Sequence, residues 1–448
     1  MQYFHTNYNR EKEISKKMEK KQGDNVKIYV HAVDPMVGLR NSRGELYTRV
    51  SQLYKIEMDA DKYENPTTLP LKNPSKELNL QLIKPVHTFY NSKYTFYPSG
   101  MSVVNLGSKL YFIGGSVSYK AHLLGLSSYD DDLGDYDYED ESLAVCNAFE
   151  DHLDCFPPNV YVFDCISSQL LPGFPAMNTG KPQNPITFVV DDQIYVLSSR
   201  NGPKGMTHFE TFNPILKEWK KLMPPEQDFF SKRKTACGSV VMGRKLFVTF
   251  RSDFGDTDKL WDYIDILWYD IDTDSWTCFK SPHLPKIYRD SVFVGNTTYS
   301  TVSEPLEHTH KKQKYPVLSF DGFDSTDYIK GIAKTKLVKK HHRIRNWPIY
   351  TNGHGYSTRC LFHLGGFLNG TDKNSRCLGL VELFNPHDEE SEYGVEYETQ
   401  SELRFVVFEA SEGNTSDDSF DGRTIHACHF STDLLNDCLL NSACIYSS

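Results

Sequence analysis

Residues Met101–Gly115 read MSVVNLGSKLYFIGG. Val103, Val104 and Leu106 form one apolar run, Gly107-Ser108 carries turn chemistry, and Leu110-Tyr111-Phe112-Ile113 forms a second run closed by Gly114-Gly115. Two short apolar runs flanking a glycine turn predict a β-hairpin. A lone hairpin cannot bury its own apolar faces, so the stretch demands neighbours of the same kind.

The chain supplies them. Downstream lie ITFVVDDQIYVLSS (186–199), CGSVVMGRKLFVTF (237–250), SVFVGNTTYSTV (291–302) and YSTRCLFHLGG (356–366). Each unit carries an aromatic residue followed by Asp or Asn: Phe163-Asp164, Phe212-Asn213, Tyr269-Asp270, Phe320-Asp321 and Phe384-Asn385. These pairs recur at intervals of 49 to 64 residues. Such a period fits one four-stranded sheet per repeat, and runs of four to eight apolar residues between turn signals argue against helices.

These residues resemble the kelch repeat. Gly114-Gly115 and Gly365-Gly366 match its glycine doublet at the end of the second strand. The five aromatic pairs match its third strand, Trp219 and Trp276 its tryptophan, and Leu222-Met223-Pro224 its exit. Ser198-Ser199 and Thr249-Phe250 stand where further doublets belong, and the fourth unit has neither doublet nor tryptophan. The resemblance implies an all-β, six-bladed kelch-type β-propeller over residues 26–430, between tails at 1–25 and 431–448. Residues 27–83 offer three strands that begin at the second position. The segment from Arg423 to Phe430 is therefore expected to return as the inner strand of that N-terminal blade and close the ring.

Bulk properties limit the partners. The formal net charge is −10, which disfavours nucleic-acid binding through a general basic surface. No apolar run reaches the roughly 18 residues of a membrane helix. The lysine-rich start lacks the apolar core of a secretory signal. Ten cysteines without a C-x-x-C pair read as buried thiols rather than a disulfide frame. A monomer in the cytoplasm or nucleus is expected.

Chemical templates fail in turn. GFPAMNTGKP (173–182) has the wrong glycine spacing for a phosphate loop, and Pro182 replaces the Ser/Thr that would hold magnesium. His308 and His310 with Glu304, or His426 with Cys428, give too few ligands for a metal site. The iron motif E-x-x-x-D-x-x-x-H of nitrile-specifier kelch proteins is absent. No metal or cofactor is expected. The acidic run Asp130–Glu141 reads as a solvated loop, and the basic run Lys334–Arg345 as an exposed connection with strand-like alternation.

What remains is the mouth of the propeller, where residues just before the inner strands converge. Arg233, Tyr288, Arg289, His354, Tyr356 and Arg423 fall there and are the expected binding residues. Arginine suits a carboxylate and tyrosine a stacked or hydroxyl contact. The expectation is a non-catalytic adaptor that holds a protein partner through an acidic peptide, with a small-molecule ligand also open. The alternative is an isomerase, epimerase or lyase using His354 or His426 as acid or base, with Arg233 and Arg289 holding an anion.

Overall fold

The structure is a computed structural model. It describes residues 26–33, 49–58, 81–91, 97–117, 156–200, 202, 205–225, 234–252, 264–279, 291–294, 297–301, 318–324, 339–344, 355–365, 377–386, 401–409, 419–432 and 439–447. The described residues are all-β, without a helix, and form a propeller-like ring of five sheets. Among the described residues there is no separate sixth sheet of the kind expected from the repeat count.

The opening hairpin is β5 (Ser102–Leu106) and β6 (Lys109–Ile113), extended by β7 (Val160–Asp164) and β8 (Gln169–Leu171) in the order β5-β6-β7-β8. The next sheet comprises β9 (Ile186–Val190), β10 (Gln193–Leu197), β11 (Phe209–Asn213) and β12 (Glu218–Lys221). A further one comprises β13 (Lys234–Met242), β14 (Lys245–Ser252), β15 (Ile264–Asp270) and β16 (Ser275–Phe279).

A larger sheet follows. It contains β17 (Val292–Val294), β18 (Thr297–Thr301), β19 (Leu318–Asp324) and β20 (Lys339–Ile344). It also contains β21 (Gly355–His363), β22 (Cys377–Pro386), β23 (Glu402–Glu409) and β24 (Ser419–Ser431). These are two antiparallel meanders joined where β20 pairs β24 in parallel. Because of that junction the described residues make five sheets rather than six. Part of the basic run lies in this sheet: Lys339–Ile344 is a strand bonded to β19 on one side and β24 on the other.

The N-terminal sheet contains β1 (Val26–Val33), β2 (Arg49–Met58), β4 (His87–Tyr90) and β25 (Leu439–Ser447), in the order β25-β1-β2-β4. The chain's two ends thus share a sheet, but not through the expected segment. Residues 423–430 lie in β24, antiparallel to β23. The strand that pairs with β1 is Leu439–Ser447, from the stretch expected to be a tail. Nor does the third N-terminal strand lie within residues 27–83. That strand is β4, while β3 (Gln81–Leu82) pairs with β24.

Alternation explains the apolar runs. Leu110 and Phe112 of β6 pack towards the N-terminal sheet with Tyr29, Leu53 and Phe89. Tyr111 and Ile113, one residue out of step, pack towards the next sheet with Ile194, Val196 and Phe212. A sheet buried on both faces needs a continuous apolar strand rather than an alternating one. Phe112, Phe163 and Phe212 are almost wholly buried, and each such side chain contributes about 1.5–3 kcal/mol.

The aromatic–acid pairs have a local cause as well. Asp164 accepts from the Ser167 amide at 3.0 Å and its hydroxyl at 2.6 Å. Asn213 accepts from the amides of Ile215 and Leu216, and Asp270 from those of Asp272 and Thr273. In each turn the residue four places on, Ser168, Lys217 or Asp274, takes a positive φ near 50°. The side-chain oxygen therefore closes the turn between third and fourth strands. The doublet at Gly365 breaks the pattern, because it follows β21, an edge strand, whereas Gly114-Gly115 follows the second strand of its sheet.

Candidate functional site

The edge strands β9, β5, β25, β21, β17 and β13 neighbour one another in that order, bringing one side of every meander towards the middle of the ring. Their beginnings define a rim, and hydrogen bonds join the part of it built from β5, β9 and β13. Ser99 and Ser116 exchange backbone hydrogen bonds at 2.8 and 2.9 Å. The Asn184 amide donates to Gly100 O at 2.7 Å, and the Ala236 amide donates to Ser199 O at 2.7 Å. Ser102 Oγ donates to Pro185 O at 2.5 Å, and Ser199 Oγ donates to Gln183 O at 2.7 Å. Three successive sheets are thereby tied together at the edge where their inner strands start.

The glycine doublet is part of this rim. Gly115 has φ +96°, and a Cβ there would sit 2.6 Å from Ser99 O. Gly114 has φ +73°, and its Cβ would meet Pro185 at 2.7 Å. Only glycine gives both the left-handed backbone and the close approach.

Beneath the rim lies a charge pair. Lys181 and Glu210 are both fully buried and form an ion pair. Glu210 Oε2 also accepts from the Asn178 amide at 2.8 Å and from Asn178 Nδ2 at 2.6 Å. Lys181 Nζ donates to Thr179 O at 2.9 Å, and Thr179 Oγ1 accepts from the Thr207 amide at 2.9 Å. Burial pushes the Lys181 ammonium down from the usual lysine range, against the opposing pull of Glu210. His208 beside it is lowered by burial and by the Lys181 charge.

Sequence reasoning missed this pair, because Lys181 and Glu210 lie in different elements with no shared spacing. The one local signal was the Gly180-Lys181-Pro182 run just before an inner strand. With its ammonium committed to Glu210, Lys181 is not a phosphate-loop lysine.

A second buried network crosses β21, β22 and β23. Arg359 and Glu382 face each other in register, as do Glu382 and Arg404. Arg359 Nε donates to Glu382 at 2.9 Å, and Arg404 NH2 donates to Glu402 at 2.7 Å. Two arginines and two glutamates balance, so the group reads as internal charge neutralisation.

Of the expected binding residues, Arg233, Tyr288, Arg289 and His354 lie outside the described residues. Their neighbours are placed, however: Lys234 opens β13 and Gly355 opens β21, while Val292 begins β17 three residues after Arg289. Tyr356 is the second residue of β21. Arg423 does not join it. It pairs in register with Glu409 at the far end of β23 and sits on the outermost strand of that meander. His426, opposite Val407 on the same strand, is likewise away from the start of β21, so the acid–base reading loses its second histidine. The acidic run at 130–141 is outside the described residues. Among the described residues no group of three or more metal-binding side chains occurs, and no helix is long and apolar enough to cross a membrane.

No protein-family model matches the chain, and no curated protein matches it at a significant level.

Proposed function

We propose that the chain is a non-catalytic kelch-type binding module whose mouth receives an acidic peptide of a protein partner. In this reading the nine-stranded sheet counts as two blades, β17–β20 and β21–β24. With β25 as the inner strand of the N-terminal blade the ring has six. The support is that each half is a complete antiparallel meander and that the strands of the two halves hydrogen-bond to each other only at their outermost members, β20 and β24.

Arg233, Arg289 and His354 belong to the connections that lead into β13, β17 and β21, with Tyr288 and Tyr356 beside them. The observation that carries the reading is the rim itself. Backbone hydrogen bonds hold the beginnings of β5, β9 and β13 together, and Arg233 lies one residue before the last of these strands, next to a fixed frame. Guanidinium groups on such a frame favour carboxylates through paired hydrogen bonds. The test is fluorescence anisotropy with a labelled decapeptide of alternating Glu and Gly. Saturable binding that weakens at least about tenfold in Arg233→Ala/Arg289→Ala is expected, the loss of one to two charge-assisted bonds. Equal affinity in that variant overturns the reading.

A further inference from the structure

We propose that Gln183 is a direct contact for the peptide main chain at this mouth, and that Lys181 and Glu210 are the residues that position it. The inference rests on the mouth being the binding face. Residues 178–185 form a strap that runs from the buried carboxylate to the rim. At one end Glu210 holds Asn178 through two bonds and Lys181 through the ion pair. In the middle, Gly180 presses on the Phe156 backbone so closely that any side chain would collide with it. At the other end Pro182 O accepts from the Gly115 amide, Gln183 O from Ser199 Oγ, and Pro185 O from Ser102 Oγ.

The strap's main chain is thus bound to the sheets on both sides, and the Gln183 side chain is left exposed. Its Nε2 donates to Ser116 Oγ at 2.5 Å, which fixes the plane of the carboxamide. Among the described residues nothing else bonds its second N–H or its carbonyl oxygen, and these are what it offers a ligand. A donor and an acceptor side by side are the complement of a peptide group, and a fixed plane lowers the ordering cost on binding. Positioning rather than charge is the pair's contribution, since both partners are wholly enclosed.

Two measurements test this. In the anisotropy assay Gln183→Ala should weaken the Glu-Gly decapeptide about tenfold, the worth of a lost pair of hydrogen bonds, at unchanged thermal midpoint. If Arg233→Ala/Arg289→Ala weakens binding and Gln183→Ala does not, the contact is overturned while the mouth stands. Absence of peptide binding by the wild-type chain overturns the mouth and the contact together. Hydrogen exchange then decides the positioning without any ligand. In Lys181→Met, or in the milder Thr179→Ala, the Asn184 amide should exchange at least about tenfold faster while Tyr195 in β10 keeps its protection. A parallel rise at both sites means the pair is a general stabiliser, and the positioning role is overturned.

Discussion

The indole N–H of Trp276 donates to the backbone carbonyl of Met223 across 2.8 Å, tying the outer strand of one sheet to the link that leaves the sheet before it. Trp219 makes the equivalent bond to Pro175 at 3.0 Å. Each tryptophan also packs its ring on the third strand, Trp276 on Tyr269 and Trp219 on Phe212. The repeat's tryptophan therefore joins consecutive sheets. Trp276→Phe keeps the ring contact and loses the bond, so it should cost about 1 kcal/mol. Urea unfolding would measure this, and an unchanged midpoint would show the bond to be energetically silent.

Gly115 and Gly173 separate two effects of glycine. Both have positive φ, +96° and +75°, but only Gly115 is crowded. Alanine at Gly173 should cost about 1–2 kcal/mol for the left-handed backbone. Alanine at Gly115 should cost clearly more, since the Ser99 carbonyl must also move. Equal losses in thermal unfolding would remove the crowding effect.

Glu382 is 2% exposed and faces Arg404, which is 1% exposed. Glu382→Ala leaves buried positive charge short of its partner, a change that costs about 3–5 kcal/mol in comparable pairs. Comparing Glu382→Ala with Glu382→Ala/Arg404→Met should show recovery of part of that loss. If the double variant is no better than the single, the pair is not coupled.

Acid should weaken the fold in two stages. Burial lowers His87, and burial with the Lys181 charge lowers His208. Groups whose folded pKa lies below the unfolded value bind fewer protons when folded, so their stabilisation is complete above about pH 6.5. It fades as pH falls through the folded values. Asp164, held low by the Ser167 hydroxyl and amide, contributes stability that is lost only at lower pH. Asp270 behaves alike: burial pushes it up, but Lys245 and the turn amides outweigh that. Urea midpoints between pH 8 and 3 should fall in both windows, and His208→Gln should flatten the upper one. A flat profile from pH 8 to 5 would contradict the histidine contribution.

The legible parts of this fold are those with local causes. The hairpin at 101–115 shows because alternate residues face different sheets, and the aromatic–acid pairs show because Asp164, Asn213 and Asp270 close their own turns. The strand completing the N-terminal sheet was hidden. Residues 423–430 and 439–447 both carry strand-like patterns, and nothing local says which of them meets β1. The segment nearer in sequence pairs with β23 across a short link, where closing the loop costs less entropy. The later segment is then the one left for β1. The Lys181–Glu210 pair was hidden for a related reason: an ion pair between a strap and a strand leaves no period in the sequence. Arg423 was misplaced with its strand.

The sharing of one sheet by β1 and β25 has a consequence for biosynthesis. About 400 residues separate Val33 from Leu439, and at roughly 5–20 residues per second the ribosome needs some 20 to 80 s to make them. During that time Val26–Val33 waits beside a vacant edge, with its backbone groups available to any passing strand. Among the described sheets the one begun earliest is thus the last completed, and its edge stays open over the interval in which its own closing strand does not yet exist.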